Sequence, residues 1–250
     1  MRLGADPEVF LLNKEGKHIA ACGLIGADKY NPLQMFDMPQ GFTIQEDNVA
    51  MEFGIPPAAS VDEFVHHIQE VMRESLKYVY TGLSFSKLSC TIFDKDQMEH
   101  PMSQIFGCEP DYNAWTKEEN KKPKPPHECM RSAGGHIHVE TDQDPFEVVK
   151  KMDLYLSVPA VIMDQGHERK RLYGKAGACR VKPYGVEYRT PSNFWVFDEK
   201  YIRWAWRNTQ RALEVNVNLD DAAEAIIQCI NNNDFGLAQS LINYYELEVV

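Results

Sequence analysis

Polar and apolar positions alternate along several stretches of this chain, and the alternation predicts β-strands. Residues 3–12 fit a strand that turns back into a second strand at 18–22, which predicts a hairpin. Further strands are predicted at 43–53, 83–93 and 135–140. Because side chains two residues apart on a strand point to the same face, each strand can present a row of polar groups to one surface.

Helical periodicity occupies much of the remaining chain. Ser60 and Glu63 form a capping-box pattern at the start of an amphipathic helix. Another helix is predicted from about Pro145, with a kink at Pro159. The C-terminal segment 199–250 is predicted to be helical, in pieces near 199–215, 219–230 and 235–246.

The order of these elements predicts the fold class. Strands interleaved with long helices, without regular alternation, favour an α+β fold with a mainly antiparallel sheet and helices packed on one face. A chain of 250 residues fits a single domain spanning 1–250. The run 116–127 has almost no apolar content and is predicted to be a loop, either a solvated insertion or a lid over a site.

Composition excludes several classes of protein. A formal net charge of -11 argues against nucleic acid as a partner held by general electrostatics. No apolar stretch is long enough for a membrane span and the N-terminus becomes acidic early, so we expect no membrane partner and a cytoplasmic location. Six scattered cysteines without a Cys-x-x-Cys pair fit reduced thiols, and neither a Rossmann fingerprint nor a P-loop is present.

Pairs of polar residues at strand spacing are the strongest functional signal. They are Asp6 and Glu8, Glu46 and Glu52, His136 and His138, and Glu187 and Arg189. If 43–53 is one strand, its alternation places Glu46 rather than Asp47 on the face of Glu52. If these strands share a sheet, its apolar face packs on helices and its other face gathers the charged residues. The pattern therefore predicts a metal and phosphate site.

Carboxylates gathered this closely need a compensating charge. Two like charges about 4 Å apart repel by about 4 kcal/mol at an effective dielectric of roughly 20. Such groups protonate, move apart or bind divalent cations, and carboxylates with one or two imidazoles suit Mg²⁺ or Mn²⁺. The same repulsion predicts that removing Glu8 or Glu187 leaves the fold intact and can stabilise the metal-free protein.

The motifs and their order resemble the glutamine synthetase superfold, in the branch of small carboxylate-amine ligases (amidoligases) known largely from tailed bacteriophages. The resemblance covers roughly residues 3 to 205, and the phage branch is also similar at 106–115 and 188–195. In that superfold the corresponding segments line one curved antiparallel sheet. The resemblance implies an enzyme that uses ATP and Mg²⁺ (or Mn²⁺) to make an amide or isopeptide bond through an acyl phosphate.

The resemblance also implies a role for each residue. One cation would be held by Glu8, Glu46 and Glu52, and a second, bridging the phosphates of ATP, by Asp6, His136 and Glu187. Nucleotide contacts would come from Gly134, Gly135, His136, His138 and Arg189. The transferred phosphoryl group would be contacted by Arg189, Arg180 and Lys175, because cations stabilise the charge that develops on its oxygens.

Departures from the glutamine synthetase pattern leave alternatives open. The chain has no room for the separate domain that completes an ammonium site, so the implied substrates are a carboxylate and an amino acid or larger amine, as small molecules or peptides. Cys108 either shapes the substrate pocket or is a structural cysteine. The alternative functions are a guanidino-type phosphotransferase, a metallohydrolase, or a non-catalytic divalent-cation-binding phage accessory protein. A phage-encoded chain would act in the host cytoplasm, and the oligomeric state stays open.

Overall fold

The computed structural model describes residues 1–105 and 110–250. Its strands are β1 (Arg2–Ala5), β2 (Glu8–Leu12), β3 (His18–Ile19), β4 (Leu33–Gln34), β5 (Thr43–Asp47), β6 (Ala50–Gly54), β7 (Ser84–Ser86), β8 (Cys90–Ile92), β9 (Tyr112–Asn113), β10 (Met130–Ser132), β11 (Ile137–Glu140), β12 (Ala178–Lys182) and β13 (Gly185–Tyr188). Its α-helices are α1 (Val61–Ser75), α2 (Pro145–Met152), α3 (Val158–Met163), α4 (Glu199–Glu214), α5 (Ala223–Asn232) and α6 (Phe235–Tyr245). Within these two ranges, no helix combines the length and apolar character needed to cross a membrane.

Two antiparallel sheets contain most of the strands. The first has the order β1-β11-β13-β12-β9, and the second has the order β3-β2-β6-β5-β4 with β7 also paired to β2. The remaining pair, β10 and β8, forms a two-stranded sheet. The prediction of a mixed fold with antiparallel, curved strand pairing and several helices is confirmed, but the single sheet that was expected to carry all the polar strands is divided into two.

The Asp6–Pro7 dipeptide joins the two main sheets. The sequence predicts one strand at 3–12, but proline has no amide hydrogen for the ladder, and the segment divides into β1 and β2. Backbone bonds continue on both sides of the break, from Glu8 N to Gly134 O at 2.8 Å and from Ile55 N to Ala5 O at 3.2 Å. Asp6 and Glu8 therefore lie at the junction of the two sheets.

Helices cover one face of the first sheet. Ile137 and Val139 of β11 and Val186 of β13 are fully buried in a core to which α1, α2 and α4 contribute. Each buried side chain of this size contributes roughly 1.5–3 kcal/mol relative to an exposed one. The intervening residues His138 and Glu187 point to the opposite face, which is the alternation that the sequence predicts.

The segment 43–53 is a hairpin, so the prediction of a single strand is wrong. β5 ends at Asp47 and β6 begins at Ala50, with Asn48 at a φ of 56° in the turn. Asparagine tolerates this left-handed conformation better than most residues. In the resulting register Gln45 lies opposite Glu52 and Glu46 lies opposite Met51. Asp47, rather than Glu46, therefore shares the face of Glu52.

The helical predictions agree with the structure apart from one irregularity. Ser60 caps α1 by accepting a bond from Glu63 N at 3.2 Å, while the Glu63 carboxylate accepts from Ala59 N at 2.6 Å. The helix predicted from Pro145 continues from α2 through a π-helical segment, Asp153–Ser157, into α3. Pro159 lies in the first turn of α3, directly after that segment. The run 116–127 has no helix or strand.

Candidate functional site

Cross-strand pairing aligns the polar residues that the sequence pattern predicted. His138 lies opposite Glu187, and Glu187 lies opposite Arg180 on its other side. In the second sheet Glu8 lies opposite Glu52. Because side chains opposite each other on neighbouring strands are close, these registers bring together residues far apart in sequence.

The first cluster contains Asp6, His138 and Glu187, whose ligand-type atoms all lie within 4.8 Å of one another. His138 Nε2 is 2.9 Å from Asp6 Oδ1. Both atoms are buried, and neither makes a hydrogen bond of acceptable geometry with the described residues. Burial would raise the pKa of Asp6, but the nearby His138 and His136 outweigh it and hold that pKa well below its usual value.

The second cluster contains Glu8, Asp47 and Glu52, again with ligand-type atoms within 4.8 Å of one another. Burial and the charge of Glu8 raise the pKa of Asp47 to about 6. Burial, together with Asp6 and Asp47, raises the pKa of Glu52 well above its usual value. These directions mean that the carboxylates repel one another, so a bound cation would stabilise their ionised forms.

His136 lies between the two clusters. Its Nδ1 is 3.5 Å from Asp6 Oδ1 and its Nε2 is 3.8 Å from Glu8 Oε1. The imidazole is almost completely buried. His136 therefore separates the two clusters and contacts a carboxylate of each, as a residue at the junction of the two sheets can.

Three cationic side chains surround the carboxylate of Glu187. Arg189 donates to Oε1 through Nη1, Arg180 Nη1 lies 3.4 Å from the same oxygen, and Lys182 Nζ lies 2.9 Å from Oε2. Burial alone would raise the pKa of Glu187, but Arg189 and the other positive groups lower it to about 2. Arg189 Nε also lies 3.6 Å from Asp111 Oδ2. The predicted proximity of Glu187, Arg189 and Arg180 is observed.

Arg169 is a buried guanidinium of the site that the sequence pattern did not predict. It lies in the short 3-10 helix His167–Arg171, donates through Nη1 to Thr190 O at 2.9 Å and through Nη2 to Arg189 O at 3.2 Å. Burial lowers its pKa from the usual value. Arg169 braces the segment that bears Arg189, and no strand spacing marks it because a 3-10 helix supplies it.

Gly134 and Gly135 have no side chain at positions where neighbouring groups approach the backbone closely. Gly134 N donates to Glu8 Oε2 at 2.7 Å, and a Cβ on Gly134 would lie 2.3 Å from His136 Nε2. A Cβ on Gly135 would lie 2.4 Å from Ser192 O. The contact at Gly135 is with backbone and excludes a larger residue, whereas a larger residue at Gly134 would displace the His136 imidazole. Their predicted contact with nucleotide phosphate stays a prediction.

Glu46 belongs to neither cluster. Its carboxylate accepts bonds from the backbone amides of Gly23, Ile25 and Gly26 at 2.7–2.8 Å. These bonds hold the loop that leads to Asp28, on the rim of the cavity. The resemblance implied Glu46 as a metal ligand and the single-strand alternation supported it; the hairpin removes that support, and Asp47 lies with Glu8 and Glu52 instead.

We expect Asp47→Asn to weaken Mn²⁺ binding at least about tenfold, equivalent to roughly 1.4 kcal/mol, because it removes a carboxylate from the second cluster. Glu46→Gln is the matched control, which keeps the cluster and weakens only the bonds to the loop, at a cost of roughly 1–2 kcal/mol in stability. Calorimetric Mn²⁺ titrations and thermal melts of both variants make the comparison. If the Asp47→Asn and Glu46→Gln variants lost Mn²⁺ affinity equally, Glu46 would be a metal ligand as well.

A cavity of about 490 Å³ lies beside His136 and two residues of the second cluster, Glu8 and Asp47. Glu8, Asp47, His136, Arg169, Arg180 and Arg189 line it, together with Lys175 and residues 119–124 of the polar loop. The polar loop thus forms part of the cavity wall. This position fits a loop that lies over a site, which was one of the two alternatives for 116–127. The predicted segment around Cys108 includes residues 106–109, which lie outside the described residues.

One carboxylate behind the cavity was also not predicted. Asp153, in the π-helical segment, is fully buried and accepts bonds from Trp115 Nε1 at 2.7 Å, Gly177 N at 2.6 Å and the Tyr188 hydroxyl at 2.7 Å. Burial raises its pKa to about 6 despite these donors. Asp153 ties the start of the polar loop and the segment after Lys175 to the sheet.

Comparison with known proteins adds a family assignment for part of the chain. Residues 128–212 match the model of the family described as Phage phiEco32-like COOH.NH2 ligase-type 2. The matched stretch contains His136, His138, Arg180, Glu187 and Arg189, and it confirms the suspected amidoligase family. This family suggests a general carboxylate-amine ligase activity, and hence an enzyme. No curated protein matches the chain.

Proposed function

We propose that this chain is an ATP-dependent carboxylate-amine ligase with a glutamine synthetase-like catalytic domain. The observation that carries the proposal is that two carboxylate clusters meet around His136 at the junction of the two sheets, and that Arg169, Arg180 and Arg189 line the cavity beside them. The match of residues 128–212 to a ligase family supports the same reaction class.

The clusters fit divalent cations by their donor chemistry. Asp6, His138 and Glu187 would hold one cation and Glu8, Asp47 and Glu52 another, with His136 between them. The buried Asp6 Oδ1 and His138 Nε2 lie 2.9 Å apart without hydrogen-bond geometry, and such a cation would give both atoms a partner. Mg²⁺ or Mn²⁺ bound there would neutralise nucleotide phosphate charge.

The proposed reaction has two steps. A carboxylate oxygen of the acid attacks the γ-phosphorus of ATP and ADP leaves, which forms an acyl phosphate. The amine nitrogen then attacks the acyl carbon, the bond to phosphate breaks, and the nitrogen loses a proton. Arg189 and Arg180, fixed beside Glu187, would contact the transferred phosphoryl oxygens, and Lys175 on the cavity wall would assist them.

Nucleotide affinity should depend on divalent cation, because without one the carboxylates of both clusters repel the phosphates of ATP. We expect a non-hydrolysable ATP analogue to bind at least about tenfold more weakly in excess chelator than in Mg²⁺. Calorimetry under both conditions measures this. Glu46→Gln should keep the full cation dependence, and equal affinity of the unsubstituted protein in Mg²⁺ and chelator would contradict the metal assignment.

Product analysis tests the reaction itself. The protein is incubated with ATP, Mg²⁺ and pools of acids and amines, and both ADP release and product mass are followed. A new amide or isopeptide product with stoichiometric ADP supports the ligase. A phosphorylated guanidino product would assign a phosphotransferase, and cation binding without any ADP release would favour an accessory protein.

A further inference from the structure

The charge of the cavity wall is opposite to the charge of the whole chain. The chain has 26 lysines and arginines against 37 aspartates and glutamates. The basic residues that line the cavity are Lys29, Lys121, Lys122, Lys124, Arg131, Arg169, Arg171, Lys175, Arg180 and Arg189. The acidic ones are Asp28, Glu8, Glu46, Asp47, Asp111 and Glu119. A net positive cavity in an acidic protein indicates an anionic ligand.

Several of these cations are already matched by other groups. Arg180 and Arg189 lie against Glu187, and Arg171 lies 2.7 Å from Glu168. Arg169 is bonded to backbone carbonyls. Two divalent cations would also offset much of the charge of a bound triphosphate. The groups assigned to the nucleotide are therefore Arg180, Arg189 and the two proposed cations, and the lysines of the polar loop are additional to them.

Lys121, Lys122 and Lys124 lie together on the polar loop and are named here the loop lysines. Within residues 1–105 and 110–250, the structure shows no ion pair or side-chain hydrogen bond for any of their amino groups. Four residues of chain span at most about 10–11 Å between the first and last, so the three charges can meet anionic groups spread over a short peptide or a polycarboxylate.

The loop that carries these lysines is fixed beside the predicted phosphoryl contact. Asn120 N donates to Asp111 O at 2.8 Å, and Tyr112 pairs with Glu119 through a backbone bridge. The side chain of Asp111 in turn lies 3.6 Å from Arg189 Nε. The loop lysines are therefore attached next to the position where the acid would be activated, rather than on a remote surface.

We propose that the loop lysines form a cationic subsite for the acid substrate, which would then be a polycarboxylate or an acidic peptide rather than a simple monocarboxylic acid. This inference rests on the proposed ligase function, because only a ligase would use the bound anion as its acid substrate. One carboxylate of such an acid would be activated beside Arg189, while its other anionic groups would contact Lys121, Lys122 and Lys124.

The test compares two triple variants with the same change in net charge. The subsite variant is K121S/K122S/K124S. The control is K14S/K87S/K200S, which removes exposed lysines outside the cavity. The probes are a triglutamate peptide, butyrate, and a non-hydrolysable ATP analogue with Mg²⁺, each titrated by calorimetry at low and at physiological ionic strength. Thermal melts show whether both variants stay folded.

We expect the unsubstituted protein and the control to bind triglutamate more tightly than butyrate, and the subsite variant to bind triglutamate at least about tenfold more weakly. Added salt should weaken triglutamate binding less in the subsite variant than in the control. Nucleotide affinity should stay within about twofold in all three proteins.

Two results would overturn the subsite. One is loss of nucleotide affinity in the subsite variant with triglutamate binding retained, which would assign the loop lysines to the nucleotide. The other is equal binding of triglutamate and butyrate by the unsubstituted protein. These titrations need no turnover, so an absence of amide product in the activity assay would count against the ligase and not against the anion subsite.

Discussion

Replacing Arg189 with Lys should lower the maximal rate by roughly 100-fold or more, about 2.7 kcal/mol, while weakening ATP binding much less. The guanidinium contacts Glu187 through Nη1 and approaches Asp111 through Nε, so its plane is fixed beside both carboxylates. An ammonium group supplies the charge without the planar fork that fits two phosphoryl oxygens. If the contact strengthens as the phosphoryl group is transferred, the loss falls on the rate rather than on affinity.

Steady-state ADP release and independently measured affinity for an ATP analogue separate the two effects. Arg171→Lys is the matched control, since Arg171 also lines the cavity but pairs with the exposed Glu168. That variant should keep most of its turnover. Near-normal turnover of the Arg189→Lys variant would remove Arg189 from the phosphoryl site and weaken the ligase proposal.

Glu187→Gln and Glu52→Gln should both abolish ligase turnover, yet they should change the stability of the metal-free protein in opposite directions. Glu187→Gln leaves Arg189, Arg180 and Lys182 without their shared carboxylate, and breaking such a buried pair costs roughly 3–5 kcal/mol. Glu52→Gln removes one of three repelling carboxylates and should stabilise by roughly 1–2 kcal/mol at pH 7.5. The charges around Glu187 thus reverse the expectation, based on carboxylate repulsion alone, that its removal stabilises the metal-free protein.

The pH dependence of these effects follows from the direction of each pKa shift. The raised pKa of Glu52 means that the folded state binds protons more tightly, so stability falls as pH rises from 4.5 to the raised pKa. The gain from Glu52→Gln should therefore disappear below about pH 4. Glu187, lowered from 4.5 to about 2, stabilises the fold above pH 4.5 and loses that contribution as pH falls towards 2.

Urea unfolding in chelator at pH 4 and at pH 7.5 measures both variants. The Glu187→Gln deficit should be large at pH 7.5 and smaller at pH 4, whereas the Glu52→Gln gain should be present only at pH 7.5. Stabilisation by Glu187→Gln, or a loss of stability with Glu52→Gln at pH 7.5, would contradict the charge arrangement described for the two clusters.

Local sequence pattern determined which side chains share a strand face. The spacing of His136 with His138, and of Glu187 with Arg189, depends only on the geometry of an extended chain, so it was readable without the fold. The cap at Ser60 and the polar character of 116–127 are equally local, because they follow from backbone donors and from missing apolar side chains.

Tertiary structure decided the membership of the clusters. A turn at Asn48 reverses the chain and places Asp47, rather than Glu46, on the face of Glu52. A two-residue alternation across 43–53 could not reveal this, because it assumes one continuous strand. Arg169 entered the site from a 3-10 helix through bonds to the backbone of 189–190. Strand spacing fixes a side chain's face, but pairing register and chain reversal fix its neighbours, and those arise only when distant segments pack together.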